Sequence, residues 1–410
     1  MSRLLFINRF YRPSSVATAQ LLTDMAEQLA GRGQDVSVLT SRLDDQAPTD
    51  SVENGVRLLR VRGTRWGNSG NVVAHAIDLL TFALVAVFKA VRSVGRGDMV
   101  VIMTDPPLLG LLLQPMLRLR GARIVHWIQD IYPEVIQRVS GSNAARWLAG
   151  PRNRMWRNAD ACITLGEDMA RLAHQADVPA NRIHLLPNWA PDGVERLAPE
   201  RATELRREWG LEGKFVILYF GNFGRVHALD QILDLADELR DDRRVSFCLV
   251  GPGPQKAALE TAATNRGLTA VRFHPAQPRE RRSEILALGD VHLVTLKAGC
   301  EDVVFPSKLY GICAAGHPVL FIGPPDCEFA QLIQERGLGL NGDPSSMPKL
   351  AEQIRKWVED PSQAKTHAAA AHHFYVTEGN AQVAAERWLQ IMARIEALHT
   401  SAGLKPSSTR

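Results

Sequence analysis

The stretch "FVILYFGNFGRVHALDQILDLADEL", residues 215 to 239, decides the fold. It begins with an almost unbroken apolar run that is too short for a helix. It does not alternate with polar residues, so it suits a strand covered on both faces. Gly221-Asn222-Phe223-Gly224 follows as a turn, and apolar residues then recur at helical spacing from about Asp230. Strand, glycine loop and helix together make half of a βαβ unit.

Working outward, the same punctuation returns. "CLVGPGPQKAALE" (248–260) is strand, Gly251-Pro252-Gly253-Pro254, helix. Short β-branched runs also lie at 3–8, 35–41, 56–62, 98–105, 122–130, 161–165 and 182–188. In the second half further runs lie at 271–275, 291–297 and 319–323. Apolar strands alternating with helical patterns predict α/β architecture, with parallel sheets covered on both faces. Two such series predict two Rossmann-like, doubly wound domains, which suits 410 residues better than one core. Three prolines and a charged helix start in 187–210 place the hinge near 188–192.

Apolar residues make up 45% and charged residues 22%, the balance of a soluble globular protein. Residues 1–190 hold 22 Lys and Arg against 16 Asp and Glu, or +6, while the remainder has 26 against 28, or −2. The basic excess lacks interleaved aromatics, which argues against nucleic acid. An anionic membrane surface and a solvated arginine-rich face both remain open for that half. Five scattered cysteines with no Cys-x-x-Cys pair predict reduced thiols and a cytoplasmic location. Arg3 and Asn8-Arg9 interrupt any secretory hydrophobic region. The most apolar run, "LLTFALVAVFKAV" (79–91), is too short to span a bilayer.

Ligands of open α/β sheets sit beyond the carboxyl ends of the strands, so the residues following each strand carry the chemistry. Gly221, Asn222 and Gly224 let the backbone approach a ligand, and Arg225 adds a cation suited to phosphate. Gly251, Pro252 and Gly253 form a second such loop, although a structural turn explains them too. In "EDVVFPSKLYGICAAGHPVLFIG" (301–323), Pro306-Ser307-Lys308-Leu309 opens a helix that Gly316 and Pro318 close. A cation in the first helical turn is unfavourable unless an anion binds there. A phosphate would engage the Ser307 hydroxyl and the Lys308 ammonium, with Glu301 close to whatever that phosphate carries. The pattern suits a phosphorylated polyol.

In the first half, "IVHWIQDIYPEV" (124–135) ends a strand with Asp130 and Glu134. His126 lies inside the strand pattern, as a cleft residue or as a core histidine. Ser14, Ser15 and Thr18, small residues ahead of an amphipathic helix, are candidates for ligand contact. No Asp-x-Asp follows a strand and no Cys/His cluster has metal spacing, so no tightly held metal is expected.

These residues resemble glycosyltransferase family 4, with the two-domain GT-B fold, and its bacterial branch that builds O-antigen, capsule or colanic-acid-type polysaccharide. The resemblance runs through "FYRPSSVATAQLLTDMAEQLAGRGQDVSVLTS", "WIQDIYPE", "LPNW", "GNFGRVHALD", "LVGPGP" and "FPSKLYGICAAGHPVL". It implies two domains facing across a cleft, with the helix of 380–400 crossing back onto the first. The first domain is then 1–190 plus 380–400 and binds an acceptor. The second is 191–379 and binds a UDP- or GDP-sugar, and 401–410 is a disordered tail. It further implies transfer of a hexosyl or acetamidohexosyl group with retention and without a metal or other cofactor. The acceptor it implies is a lipid-linked or oligosaccharide one, met on the inner face of the cytoplasmic membrane. Arg225 and Lys308 would hold the donor diphosphate, Glu301 the donor sugar, and Asp130 and Glu134 would belong to the catalytic cleft.

Two positions depart from the family pattern. Gly311 stands where a ribose-gripping Glu is common, and Glu328 is the replacement suggested by position. His227 stands where a second basic residue often follows Arg225. An apolar run at 79–91, with Arg92, Arg96 and the cluster Arg57, Arg60, Arg62, Arg65 and Trp66, suggests peripheral membrane contact. A helix packed on the first sheet is the alternative. Competing functions are a sugar-nucleotide epimerase, which needs no acceptor, and a non-catalytic nucleotide-sugar-binding subunit, which binds without turnover.

Overall fold

A computed structural model describes residues 3–14, 16–64, 72–143 and 145–403. Contacts divide the chain into two compact units. One holds Met1–Gln137, Ser142–Pro187 and Ala381–Arg410; the other holds Arg138–Gly141 and Asn188–Asn380.

The first unit is built on eight strands: β1 (Leu4–Ile7), β2 (Val36–Ser41), β3 (Asp50–Glu53), β4 (Val56–Val61), β5 (Met99–Ile102), β6 (Arg123–Trp127), β7 (Ala161–Thr164) and β8 (Ile183–Leu185). Their order is β3-β4-β2-β1-β5-β6-β7-β8, parallel throughout except for the β3–β4 pair. The helices are α1 (Ala17–Gly31), α2 (Val72–Ser93), α3 (Gly110–Leu119), α4 (Glu134–Ser140, whose residues from Arg138 on are counted with the second unit), α5 (Ala149–Arg157) and α6 (Glu167–Gln175). Leu5, Ile7, Val100, Ile102 and Ile124 of the sheet pack against Phe82 and Ala86 of α2 and Leu113 and Leu117 of α3. All are nearly inaccessible, which is why these strands carry no polar alternation.

The second unit holds β9 (Phe215–Phe220), β10 (Val245–Val250), β11 (Val271–His274), β12 (Val291–Thr295), β13 (Val319–Ile322) and β14 (Gly339–Gly342). All pairs are parallel, in the order β11-β10-β9-β12-β13-β14. Its helices are α7 (Pro199–Glu208), α8 (Asp230–Glu238), α9 (Lys256–Asn265), α10 (Arg282–Leu286), α11 (Lys308–Ala314), α12 (Glu328–Glu335), α13 (Met347–Glu359) and α14 (Pro361–Thr377). Ile217, Phe247, Leu293 and Leu320 bury against Ile232 and Leu233 of α8 and Ile354 and Trp357 of α13. The strand order reverses between β9 and β12, so the loops after these two strands lie side by side.

The last helix, α15 (Ala381–Gly403), belongs to the first unit and packs on α1. Trp388 fixes it there, its ring 5.3 Å from Phe6 and 5.0 Å from Trp127. The helix continues through Gly403, so the expected tail is helical for its first three residues. Residues 404–410 lie outside the described residues.

Two strands escape the sequence reading. β3 alternates exposed and half-buried positions at the sheet edge, and its Asp-Ser-Val-Glu composition is polar. β14 reads Gly-Leu-Asn-Gly and closes the opposite kind of edge, where little side-chain burial is required.

Candidate active site

Three strand ends of the second unit come together at Lys308. Its side chain leaves the first turn of α11 and runs back over the loop after β9. The ammonium lies 3.0 Å from His227 Nε2 and 5.0 Å from the Tyr219 ring centroid. His227 Nδ1 donates to the Thr295 carbonyl at 2.7 Å, which leaves Nε2 to accept from Lys308. Burial, then the charges of Lys308 and Lys297, hold His227 down to about 3, so it stays neutral. Burial alone lowers the Lys308 ammonium to about 8. A half-buried ammonium with one neutral hydrogen-bond partner is set to receive an anion.

Gly221 is what lets the lysine lie there. A Cβ on Gly221 would come within 2.5 Å of Lys308 Cε, and its φ of +148° disfavours any side chain. Gly253 is similarly constrained: a Cβ would meet Phe223 N at 2.5 Å and Asn222 Oδ1 at 2.7 Å. The loop after β10 is thus pressed onto the loop after β9, with Phe223 N donating to the Pro252 carbonyl at 2.7 Å. Gln255 stitches the same two loops, its Nε2 donating to the Gly224 carbonyl at 2.6 Å. Lys297 N donates to the Val226 carbonyl at 2.9 Å and ties in the end of β12.

Around this centre the predicted residues fall as follows. Arg225 is exposed on the β9 loop and makes no ion pair among the described residues. It precedes α8 by several residues and so belongs to the loop. Ser307 is exposed at the N-cap of α11 without a side-chain cap bond. Pro306 and Leu309 are buried supports. Glu301 is half-buried, and its Oε2 is enclosed without a hydrogen-bond partner. Gly311 is buried, and a Cβ there would meet only Pro191 Cδ, at 4.0 Å; Glu328 occupies the first turn of α12. Gly316 closes α11 in the left-handed region at φ +71°. His227, Tyr219 and Gln255 are additions that sequence reasoning did not assign. A histidine two positions after Arg225 was the available signal.

The strand ends of the first unit look different, because two of their acids are held in ion pairs. Arg9 and Asp105 join the loops after β1 and β5 at 3.1 Å. Glu134 accepts from Arg152 at 2.5 Å, and that buried guanidinium lies 4.0 Å from the Trp156 ring centroid. The sequence gives no hint of this pairing across eighteen positions. Asp130 is half-buried, and burial followed by the Asp105 charge raises it to about 6. His126 is interior: only 4% exposed, bonded to Gln114 at 3.0 Å, and held by burial down to about 3. With Asp130, Tyr132 and Arg152 it lines a cavity of about 30 Å³, room for a single water. Ser14 Oγ accepts from Val16 N at 3.4 Å, and Thr18 Oγ1 is enclosed without a partner. Ser15, Arg65 and Trp66 lie outside the described residues. Among the described residues no group of three His, Cys, Asp or Glu side chains is arranged to hold a metal.

The family described as "Glycosyl transferase 4-like domain" matches residues 18–189, and "Glycosyl transferases group 1" matches 201–373. Together the matches take in most of both units. The chain belongs to glycosyltransferase family 4. WcaI of Escherichia coli K12, a glycosyl transferase named for colanic acid biosynthesis, is 27% identical over 365 residues, covering 84% of this chain and 89% of WcaI. The glycosyltransferase WbjE of Pseudomonas aeruginosa is 27% identical, over 70% of this chain and 73% of its own. Among solved structures, Anabaena HepE with UDP-glucose aligns with a TM-score of 0.71 at 16% identity, over 98% and 100% of the two chains. That likeness places this family 4 chain in the GT-B fold.

Proposed function

We propose that this glycosyltransferase moves a sugar from a nucleoside-diphosphate donor to a lipid-linked saccharide in bacterial surface-polysaccharide synthesis, with retention and without a metal. The observation that carries the reading is Lys308, a half-buried ammonium seated on Gly221, Tyr219 and His227 where the β9, β10 and β12 loops converge. A donor diphosphate would meet Lys308 and Arg225, and their charge would offset the negative charge that grows on the leaving phosphate. The unpartnered Glu301 Oε2 suits a sugar hydroxyl. In the proposed step the bond between the anomeric carbon and the phosphate oxygen breaks as the acceptor oxygen bonds on the same face. The acceptor proton passes to the departing phosphate. HepE, crystallised with UDP-glucose, favours UDP as the base to try first.

Membrane contact is part of the proposal and rests on the first unit. Leu80, Leu84 and Phe88, four residues apart along α2, are 55 to 60% exposed. Arg92 stacks on Phe88 at 3.4 Å from its centroid. Apolar side chains edged by cations suit the interface of an anionic bilayer, and no helix among the described residues is long and apolar enough to cross one. The location proposed is therefore the inner face of the cytoplasmic membrane.

The test is to incubate the protein with UDP- and GDP-sugars, with and without membrane extracts containing lipid-linked saccharides. Acceptor-dependent release of nucleoside diphosphate, with the donor's anomeric configuration kept in the product, is expected. Conversion of donor alone would point to an epimerase. Donor binding without turnover against any acceptor pool would point to a non-catalytic subunit.

A further inference from the structure

Helix α3 presents three faces. Leu113 and Leu117 enter the core, and Leu112, Met116 and Leu119 are exposed. The third face, with Gln114 and Arg118, forms one wall of a cavity of about 810 Å³ whose other wall is α5. Four guanidinium groups surround this cavity: Arg118, Arg154, Arg157 and Arg182.

Two acids pair with two of these four groups, and backbone carbonyls of Asn158 and Ala159 accept from Arg118 and Arg182, so half of the charge has no acid beside it. Asp160 accepts from Ile124 N at 2.6 Å and lies 3.5 Å from Arg118. Arg157 has Asp177 at 3.3 Å, a largely exposed pair of little strength. Arg154 makes no ion pair among the described residues. A fifth donor comes from below: Gln114 is 4% exposed, its Oε1 is used by His126, and its Nε2 is enclosed with no partner. Cations gathered around one hollow repel each other, and a buried amide N–H left unpaired is unfavourable. A phosphate group satisfies both, since guanidinium binds it bidentately. The space exceeds a bare phosphate, and Leu111, Pro115 and Met155 supply apolar walls.

The position separates this cavity from the transferase site. Asp160 immediately precedes β7 and Arg182 immediately precedes β8, so its charged end lies at the amino ends of the strands. The candidate catalytic residues follow carboxyl ends.

We propose that the α3–α5 cavity is a second ligand site, which takes the phosphate of an organic phosphate. The ligand is either a soluble metabolite or the headgroup of a lipid, and the exposed face of α3 lets a bilayer reach it.

Methionine methyl resonances of the full-length protein read the site directly, because Met155 lines the cavity and Met116 lies on the exposed face. Pyrophosphate is expected to move the Met155 resonance saturably. The double variant Arg154→Gln/Arg157→Gln should weaken that response by about tenfold or more. Both side chains are exposed, and Arg154→Gln alone serves if the pair destabilises the fold. The Met155 response should persist in Lys308→Ala, which separates it from donor binding. Vesicles of phosphatidylcholine with phosphatidylglycerol form the second arm. A response to them alone, joined by Met116, assigns a lipid source, and a response to pyrophosphate assigns a soluble one. No Met155 response in either arm, or one that the arginine variants leave unchanged, overturns the proposal.

Discussion

The two units share an architecture and use it in opposite ways. At its strand ends the second unit keeps groups open: Lys308 with a single neutral partner, Glu301 Oε2 with none. The first unit ties its own into ion pairs, Glu134 on Arg152 and Arg9 on Asp105, while Glu134 Oε2 is left without a hydrogen-bond partner. Their exteriors reverse the contrast. Of thirteen exposed large hydrophobics among the described residues, all but Val376 belong to the first unit, and the proposed membrane contact rests on this feature. The open cation of the second unit suits the charged nucleotide proposed for it, and the exposed side chains of the first suit the apolar surface proposed for that unit.

Removing the open cation is the largest way to break this contrast. Lys308→Ala should lower kcat by roughly a hundred- to a thousandfold, the scale of losing one charge-stabilising group, with a smaller effect on acceptor KM. Wild-type activity should decline as pH rises through about 8, where the ammonium deprotonates. A pH–rate profile without an alkaline limb would remove Lys308 from the chemistry.

The exterior of the first unit is tested next. Leu84→Glu/Phe88→Glu should weaken co-sedimentation with anionic vesicles by about a hundredfold or more, from two apolar side chains that each contribute roughly 1.5 to 3 kcal/mol. Activity on a water-soluble acceptor should be unchanged. Equal sedimentation of variant and wild type would leave the apolar stripe without a partner.

Asp130 sharpens the comparison, because burial and the neighbouring Asp105 charge both act against its ionised form. Its carboxyl rises from the ordinary 3.8 to about 6 through burial and the Asp105 charge. Between those values the folded protein binds more protons than the unfolded chain, so stability falls as pH rises through that window and is level above it. Asp130→Asn lacks this loss. It should be more stable than wild type by roughly 1 to 2 kcal/mol at pH 7 and by nearly nothing at pH 4. Thermal melts at the two pH values decide it; an equal offset at both would mean the carboxylate is not strained.

How much of this the sequence discloses follows from how local each feature is. The α/β class and both parallel sheets are legible because fully buried strands need unbroken apolar runs, as in Phe215–Phe220 and Val245–Val250. Edge strands need no such run, so Asp50–Glu53 and Gly339–Gly342 stay hidden. Lys308 and the glycines of 221–253 are legible because a lysine opening a helix and a left-handed turn each constrain residue type locally. The seat that His227 gives Lys308 is not, since 81 positions separate them. Nor is the interior role of His126, because a strand-borne histidine reads alike whether it faces a ligand or Gln114.

The smallest effect probes the one donor contact still unassigned. Gly311 offers no side chain to a ribose, while Glu328 stands half-buried in the first turn of α12, directly after the loop that ends β13. A carboxylate there can accept from both ribose hydroxyls; an amide accepts through one oxygen and turns donors toward the rest. Glu328→Gln should therefore raise the Kd for UDP by about five- to tenfold, the worth of one charge-assisted hydrogen bond. The Kd for pyrophosphate, which has no ribose, should be unchanged. If both affinities drop together, Glu328 acts on the phosphate loops rather than on the sugar. If neither moves, Glu328 takes no part in holding the nucleotide.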